Sequence, residues 1–149
     1  MSYPPLDITP IWARHNDSLI ALVDRIPDDQ MNWSPRPELW NFRGILLHIA
    51  DARDNWMRDQ IKDGEEPPNV WLNVRSKQEV QDAYRRTWDR VARFLSDESL
   101  LDAQYDDYAG RVSGHWIAFH LLQHDIHHRA DIFHYLALLG VDTGDVGTP

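Results

Sequence analysis

Apolar residues recur at helical spacing in four segments of the chain, and turn-forming residues separate these segments. The first segment follows Thr9-Pro10, so Thr9 is predicted to cap a helix that has Pro10 in its first position. Pro27 ends the pattern. The stripe of this segment consists of Trp12, His15, Leu19, Leu22 and Ile26. Residues three or four apart share one face of a helix, so the spacing predicts an amphipathic helix.

The second and third segments carry helix-start signals as well as apolar stripes. Asn41 is predicted to cap a second helix that runs to Ile61, where a glycine-containing loop begins. Ser76 precedes Glu79 by three residues, and this capping-box pattern predicts the start of a third helix. Residues 96–112 show no regular pattern and are predicted to be irregular.

The fourth segment is predicted to form a helix over roughly 114–139, with Ser113 as its N-cap and Gly140 as its C-cap. It is apolar over most of its circumference, which predicts a largely buried central helix. No segment shows convincing strand alternation. Four amphipathic helices predict an all-α four-helix bundle, a single domain over residues 1–149 whose tail after about residue 141 is loosely ordered.

Composition narrows the possible functions. The chain has 149 residues, which suits one domain, and 42% of them are hydrophobic, which argues against disorder. Its formal net charge of −9 argues against a nucleic-acid-binding domain and against a polybasic membrane anchor. No apolar run approaches the length of a transmembrane helix, and the N-terminus lacks the pattern of a secretory signal. We therefore expect no nucleic-acid partner and no membrane.

The chain contains no cysteine. Disulfides, cysteine-ligated zinc, iron–sulfur clusters and catalysis by a protein thiol are therefore excluded. The absence of cysteine fits a cytoplasmic protein. Any metal site must use histidines, carboxylates or carbonyl oxygens.

Five of the eight histidines fall between residues 120 and 134 of the predicted fourth helix. At about 100° per residue they share an arc of about 120°, and Asp131 lies in the middle of that arc. These histidines are His120, His124, His127, His128 and His134. The helix is therefore predicted to have one side that is rich in imidazole.

Imidazoles that face one another are stabilised by a cation, because neutral rings leave polar atoms unsatisfied and protonated rings repel. His124 and His128 are four residues apart, a spacing that allows two imidazoles to bind one ion. His48 lies mid-helix in an apolar run and is predicted to project into the bundle as the third ligand. We predict a divalent-metal site formed by these three residues.

Each histidine also has a simpler interpretation. A single histidine among apolar residues is commonly a hydrogen-bonded core residue, and an isolated pair four residues apart is commonly solvated. The roles of His120 and His127 stay open: each either lies beside the metal ligands, lines a pocket wall, or belongs to a plain polar face. His115 is expected at the surface, and His134 is expected to be a structural or surface residue. His15 is expected to pack in the core or at its edge rather than to reach the pocket.

Two motifs resemble the DinB/YfiT-like family of metalloenzymes. Residues 40–50 (WNFRGILLHIA) resemble the tryptophan-led start of the family's second helix, which ends in its first histidine. Residues 124–131 (HDIHHRAD) resemble its signature of histidine, two variable residues, two histidines and Arg-Gly-Gln, and residues 135–140 (YLALLG) match the run that usually comes after that signature. The resemblance covers nearly the whole chain and implies a four-helix bundle with a divalent ion.

By position, the resemblance assigns the ion to the same three residues, His48, His124 and His128. Members of the family often form homodimers through bundle helices. Characterised relatives include S-transferases that use low-molecular-weight thiols and a thiol-dependent maleylpyruvate isomerase. The resemblance therefore implies a thiol transferase, and the family name gives no support for DNA binding.

The chain departs from the family signature at its end, where Ala130-Asp131 replaces Gly-Gln. Asp131 either orients a ligand imidazole, binds the metal itself, or is a polar substitution without a role. Zn²⁺ and Ni²⁺ suit imidazole ligands, whereas Fe²⁺ or Mn²⁺ would fit better if Asp131 joined them.

Three histidine ligands leave a coordination position for water or substrate. The site would then either activate water for hydrolysis or present a small thiol to an electrophile, and the residues alone do not choose between these reactions. A non-catalytic, metal-stabilised binding or sensing bundle is the third alternative. Asp51 and Asp131 are candidate general bases, although both are more typical of supporting or surface carboxylates.

Two further interpretations concern residues near the predicted site. Arg129 lies on the side of the helix opposite the histidines and is predicted to pair with Asp125, four residues earlier. Trp56, Tyr84 and Trp116 either line a pocket or belong to the core.

Overall fold

Four long helices form the framework of the protein, and the computed structural model describes residues 7–147. The elements in chain order are α1 (Thr9–Arg25), a 3-10 turn (Asp28–Gln30), α2 (Phe42–Asn55), a π-helical turn (Trp56–Ile61), α3 (Val70–Asn73), α4 (Lys77–Leu95), α5 (Glu98–Asp102), β1 (Gln104–Asp107), β2 (Gly110–Ser113), α6 (Gly114–Leu138) and a 3-10 turn (Gly144–Gly147). The predicted all-α bundle of α1, α2, α4 and α6 is confirmed. No helix within residues 7–147 is both long enough and apolar enough to cross a membrane.

Three of the four predicted N-caps are confirmed. The Asn41 side chain accepts the Gly44 backbone N–H at 2.8 Å. The Ser76 hydroxyl accepts the Glu79 backbone N–H, and the Glu79 carboxylate accepts the Ser76 backbone N–H. Ser113 caps α6 through its side chain. Each bond satisfies a backbone donor that a helix start leaves without a partner.

The first helix differs at its start from the prediction. Helix α1 begins at Thr9 itself, and its N-cap residue Ile8 makes no side-chain cap. The Asp7 carboxylate accepts the Thr9 backbone N–H at 3.0 Å and so satisfies one of the free donors at the start of α1. The predicted second helix does extend to Ile61, but its last six residues form a π-helical turn that ends at Lys62 in a left-handed conformation (φ 57°).

The segment predicted to be irregular contains α5 and a β-hairpin. Strands β1 and β2 pair antiparallel, with Tyr105 opposite Val112, and Gly110 adopts a φ of +99° directly after the two-residue turn. Each strand has only four residues, and β1 is largely polar. Such short strands give too little alternation to be recognised by their pattern.

Two clusters of buried apolar side chains form the core. One contains Leu19, Leu22, Leu46 and Ile132, and the other contains Met57, Val91 and Leu121, so α1, α2, α4 and α6 all contribute. Helix α6 is less buried than predicted, since Phe119, Ile126 and Leu138 are 60%, 47% and 67% exposed. Its apolar residues surround the helix, but the neighbouring helices cover only one side of it.

Candidate metal centre

Helices α2 and α6 bring together the three histidines predicted to bind metal. His48 lies in α2, and His124 and His128 lie on successive turns of α6. One ring nitrogen from each of them lies within 4.8 Å of the others, and the ring centroids are 4.6 to 4.8 Å apart. The rings are half-buried. This arrangement is the one expected of three imidazoles around a common centre.

The donor atoms of the histidines are close enough to share an ion. The Nε2 atoms of His48 and His124 are 2.9 Å apart. In a tetrahedral zinc site with bonds of about 2.0–2.1 Å, ligand nitrogens are about 3.3 Å apart. His48 and His124 would separate by only a few tenths of an ångström to admit a divalent ion, and the His128 nitrogen lies within 4.8 Å of both, so the residues present fit one.

The environment of His48 and His128 favours their neutral, metal-binding form. Burial, together with the neighbouring His124 and His128 rings, lowers the pKa of His48 to about 4. Burial is also the main cause that lowers the pKa of His128, with a further contribution from His124. A neutral imidazole keeps the lone pair that a metal requires.

Asp131 contacts one of the three histidines. Its Oδ2 lies 3.1 Å from Nδ1 of His128 and 3.9 Å from Nε2 of His127. The His127 side chain is largely exposed. A carboxylate on Nδ1 of His128 leaves Nε2 of that ring free to bind metal. His127, His128 and Asp131 also form a second group with metal-ligand spacing, which shares His128 with the first.

Trp40 covers one side of the histidine cluster. Its ring lies edge-on to His48, with centroids 4.4 Å apart, and nearly parallel to His128 at 6.2 Å. The residue is about half exposed. The cluster therefore has an aromatic wall that is open to solvent.

A second aromatic group lies one turn earlier along α6. His120 stacks on Trp116, with centroids 4.9 Å apart, and also contacts Trp56 at 5.2 Å. The Tyr108 hydroxyl, from the hairpin turn, is 3.5 Å from Nε2 of His120. Burial lowers the pKa of His120, and so does the neighbouring His124. His120 is therefore a wall residue beside the cluster.

Beneath the histidines, a buried ion pair links α2 to α6. Arg53 and Asp125 are both fully buried, and Arg53 donates to Oδ2 of Asp125 from Nε at 2.9 Å and from a terminal nitrogen at 2.6 Å. The predicted pairing of Asp125 with Arg129 is therefore wrong. Arg129 donates to the Ser18 hydroxyl and to the Val146 carbonyl. Asp125 and Arg129 are four residues apart, which would allow them to pair along the helix. A buried carboxylate is, however, better stabilised by a guanidinium that is also buried.

The other candidate residues lie away from the cluster. His115 and His134 are exposed as predicted, and His15 is buried as predicted. Asp51 accepts a hydrogen bond from Asn55 at 3.0 Å. Tyr84 is fully buried and donates to the Leu46 carbonyl, so it belongs to the core.

Sequence reasoning assigned no site role to Trp40, Arg53 or Asp125. Trp40 lies in the loop just before the Asn41 N-cap of α2, so no helical spacing predicts its contact with His48. The pairing of Arg53 with Asp125 joins residues 72 positions apart, and no local sequence pattern predicts it.

Comparisons with known proteins agree on the fold. A family model of the DinB superfamily matches residues 11–132. The structure is similar to that of a DinB-like protein from Bacillus cereus ATCC 10987, with a TM-score of 0.75, 18% identity, and coverage of 91% of this chain and 92% of that one. It is also similar to a DinB-like protein from Bacillus subtilis, with a TM-score of 0.69, 19% identity, and coverage of 89% and 91%. None of the curated proteins matches this sequence.

Proposed function

The chain belongs to the DinB superfamily, and we propose that it binds one divalent metal ion through His48, His124 and His128 and transfers a low-molecular-weight thiol to a small electrophile. One observation carries the metal site. Three half-buried imidazoles from two helices present ligand atoms within 4.8 Å of one another. Without an ion, one of the facing Nε2 atoms of His48 and His124 has to donate a proton to the other at 2.9 Å, whereas a divalent ion would bind a lone pair from each of the three rings.

The chemistry of the donor set supports an open site. Three neutral imidazoles favour Zn²⁺ or Ni²⁺. The contact between Asp131 and Nδ1 of His128 supports an orienting role for this carboxylate, which makes Fe²⁺ or Mn²⁺ the less favoured ions. With three protein ligands, a position stays available to substrate.

When bound, the ion supplies a positive centre that lowers the pKa of a small thiol and favours the thiolate. The sulfur would then bond to the electrophilic carbon while the leaving group departs with its electron pair. The half-exposed ring of Trp40 beside His48 and His128 provides a flat apolar surface for the electrophile. The group around His120 provides a second aromatic surface on the other side of His124.

The test is consumption of thiol by the metal-loaded protein. Glutathione, cysteine and other small thiols would be offered with monochlorobimane as the electrophile, and product fluorescence would be recorded over time. We expect turnover above the buffer rate, loss of turnover in His124→Ala, and normal turnover in His134→Ala, which alters an exposed histidine of the same helix. Turnover at the buffer rate with every thiol would contradict the transferase proposal, and ester hydrolysis by the same samples would favour the hydrolase alternative.

We also infer that the protein forms a homodimer through the exposed face of α6. Phe119, Ile126 and the partly buried Phe133 are seven residues apart, so they form one stripe along the helix. Exposed Ala130 and Ala137 lie beside them and would allow close approach of another helix. A seven-residue apolar repeat of this kind is typical of a seam between helices.

Light scattering would test the dimer. Ile126→Glu places a charge in the stripe and is expected to give monomers. Leu138→Glu is the matched control, because Leu138 is exposed on a different side of α6. A monomeric wild type at the concentrations used for the activity assay would contradict the inference.

A further inference from the structure

Two buried polar atoms face each other directly beneath the histidine cluster. Oδ1 of Asp125 and Nδ1 of His124 are both buried, and neither has a hydrogen-bond partner among the described residues. The two atoms are 3.8 Å apart. A buried polar atom without a partner costs about 1–3 kcal/mol, so this pair requires an explanation.

We propose that Asp125 is a positioning residue that fixes the tautomer and orientation of His124 for metal binding. The inference rests on the proposed metal site. If Nε2 of His124 binds the ion, the ring carries its proton on Nδ1, and Oδ1 of Asp125 is the acceptor that faces it. A small rotation of the ring would shorten 3.8 Å to a hydrogen bond.

The other oxygen of Asp125 is held in place by three donors. Oδ2 accepts the indole N–H of Trp12 at 2.8 Å and two N–H groups of Arg53. Arg53 also donates to the Asn16 side chain at 2.7 Å and contacts the Thr87 hydroxyl at 3.3 Å. Residues from α1, α2, α4 and α6 therefore fix the direction in which Oδ1 points.

A comparison with the second buried aspartate separates this role from simple ion pairing. Both oxygens of Asp54 are satisfied by arginines: Oδ1 accepts from Arg86 at 2.8 Å and from Arg90 at 2.6 Å, and Oδ2 accepts from Arg86 at 2.7 Å. Asp125 instead keeps one oxygen without a partner among the described residues, and that oxygen faces an imidazole. A carboxylate that served only to neutralise Arg53 would not require this arrangement.

The local electrostatics keep Asp125 able to accept this bond. Burial by itself would raise the pKa of Asp125, but the charge of Arg53 and the neighbouring His124 and Trp12 lower it below its usual range. The two N–H groups that Arg53 directs at Oδ2 favour the carboxylate form, in which Asp125 is an acceptor only.

Asp125→Asn tests the proposal because the asparagine amide has nearly the same shape as the aspartate carboxylate. The Asn oxygen would replace Oδ2 to accept from Trp12 and Arg53, which turns the NH₂ group towards Nδ1 of His124. Two donors would then face each other unless the proton of His124 moved to Nε2, where it would block the metal. Asp54→Asn is the matched control, since it also removes a buried charge that is paired with arginine.

Zinc affinity would be measured by competition with a chromophoric chelator, with far-UV circular dichroism to verify folding. We expect the Kd of Asp125→Asn for Zn²⁺ to rise by about 10- to 100-fold, with Asp54→Asn within about 3-fold of the wild type. Tight binding by the wild type and an unchanged Kd in Asp125→Asn would overturn this inference alone. Absence of zinc binding by the wild type would overturn the metal site as well.

A measurement on the wild type covers the case in which Asp125→Asn does not fold. Long-range ¹H–¹⁵N spectra of the zinc-loaded protein report which nitrogen of each histidine carries a proton. We expect His124 to be protonated on Nδ1 and bound through Nε2, with a proton that exchanges slowly with solvent. Binding of His124 through Nδ1, or a rapidly exchanging Nδ1 proton, would overturn the inference.

Discussion

His15 is predicted to make the stability of the metal-free protein depend on pH. The residue lies in α1 and is 4% exposed. Its Nε2 is buried with no partner among the described residues. Burial is the largest cause that lowers its pKa from 6.5 to about 4. The folded protein therefore holds His15 in its neutral form.

The size of the effect can be worked out from that shift. The unfolded chain binds a proton at His15 more readily than the folded one, so the stabilisation is complete above pH 6.5 and is lost as the pH falls towards 4. At 1.36 kcal/mol per pKa unit, the free energy of unfolding should fall by about 2 kcal/mol between pH 8 and pH 5. Well below pH 4 the loss should reach about 3 kcal/mol.

The assay compares the wild type with His15→Asn by urea unfolding in the presence of a chelator, at intervals from pH 8 to pH 5. Asparagine is a polar side chain of smaller size that does not titrate. Its cavity lowers stability by an amount that is independent of pH. Other buried histidines titrate in both proteins, so the difference between them isolates His15. The reasoning would be refuted if the two proteins lost the same stability over this range, within about 0.5 kcal/mol.

Three further predictions concern the framework and the ion. Gly114→Ala should destabilise the protein by about 2 kcal/mol or more in urea unfolding, because its Cβ would lie 2.2 Å from the Leu100 carbonyl oxygen. In Gly44→Ala the nearest contact of the new Cβ is at 3.2 Å, so its free energy of unfolding should stay within about 1 kcal/mol of the wild type. Equal effects of the two changes would contradict the close approach of α5 to α6. Ser76→Ala should cost about 1 kcal/mol through loss of the cap, and no loss in thermal unfolding would show that the capping box contributes little. Chelation should leave the helical circular dichroism spectrum intact, because two apolar clusters hold the bundle; unfolding on chelation would indicate a structural ion instead.

Local patterns in the sequence were enough to predict the bundle and three of its caps. Asn41, Ser76 and Ser113 each accept from the backbone N–H three residues later, so sequence spacing predicts their bonds. The pair His124 and His128 was found for the same reason, because one helical turn separates them. His48 was found because a histidine within an apolar run has to point towards the interior.

What the sequence did not reveal depends on contacts between distant segments. The choice of Arg53 rather than Arg129 as the partner of Asp125 is made by the packing of α2 against α6, and helical spacing favoured the wrong arginine. The exposed side of α6 was missed because apolar residues on every face of a helix do not show which face the neighbouring helices cover. Strands β1 and β2 are too short for their alternation to be recognised.

The most direct test of the metal centre is the stoichiometry of bound divalent ion in tag-free protein, measured by elemental analysis after dialysis against Zn²⁺, Ni²⁺, Mn²⁺ or Fe²⁺. His48→Ala, His124→Ala and His128→Ala would be compared with the wild type, and His134→Ala would serve as the control on α6. We predict about one ion per chain in the wild type and in His134→Ala, and loss of that ion in each of the other three variants. A wild type that takes up none of the four metals, or a site that survives the loss of His124, would contradict the three-histidine centre.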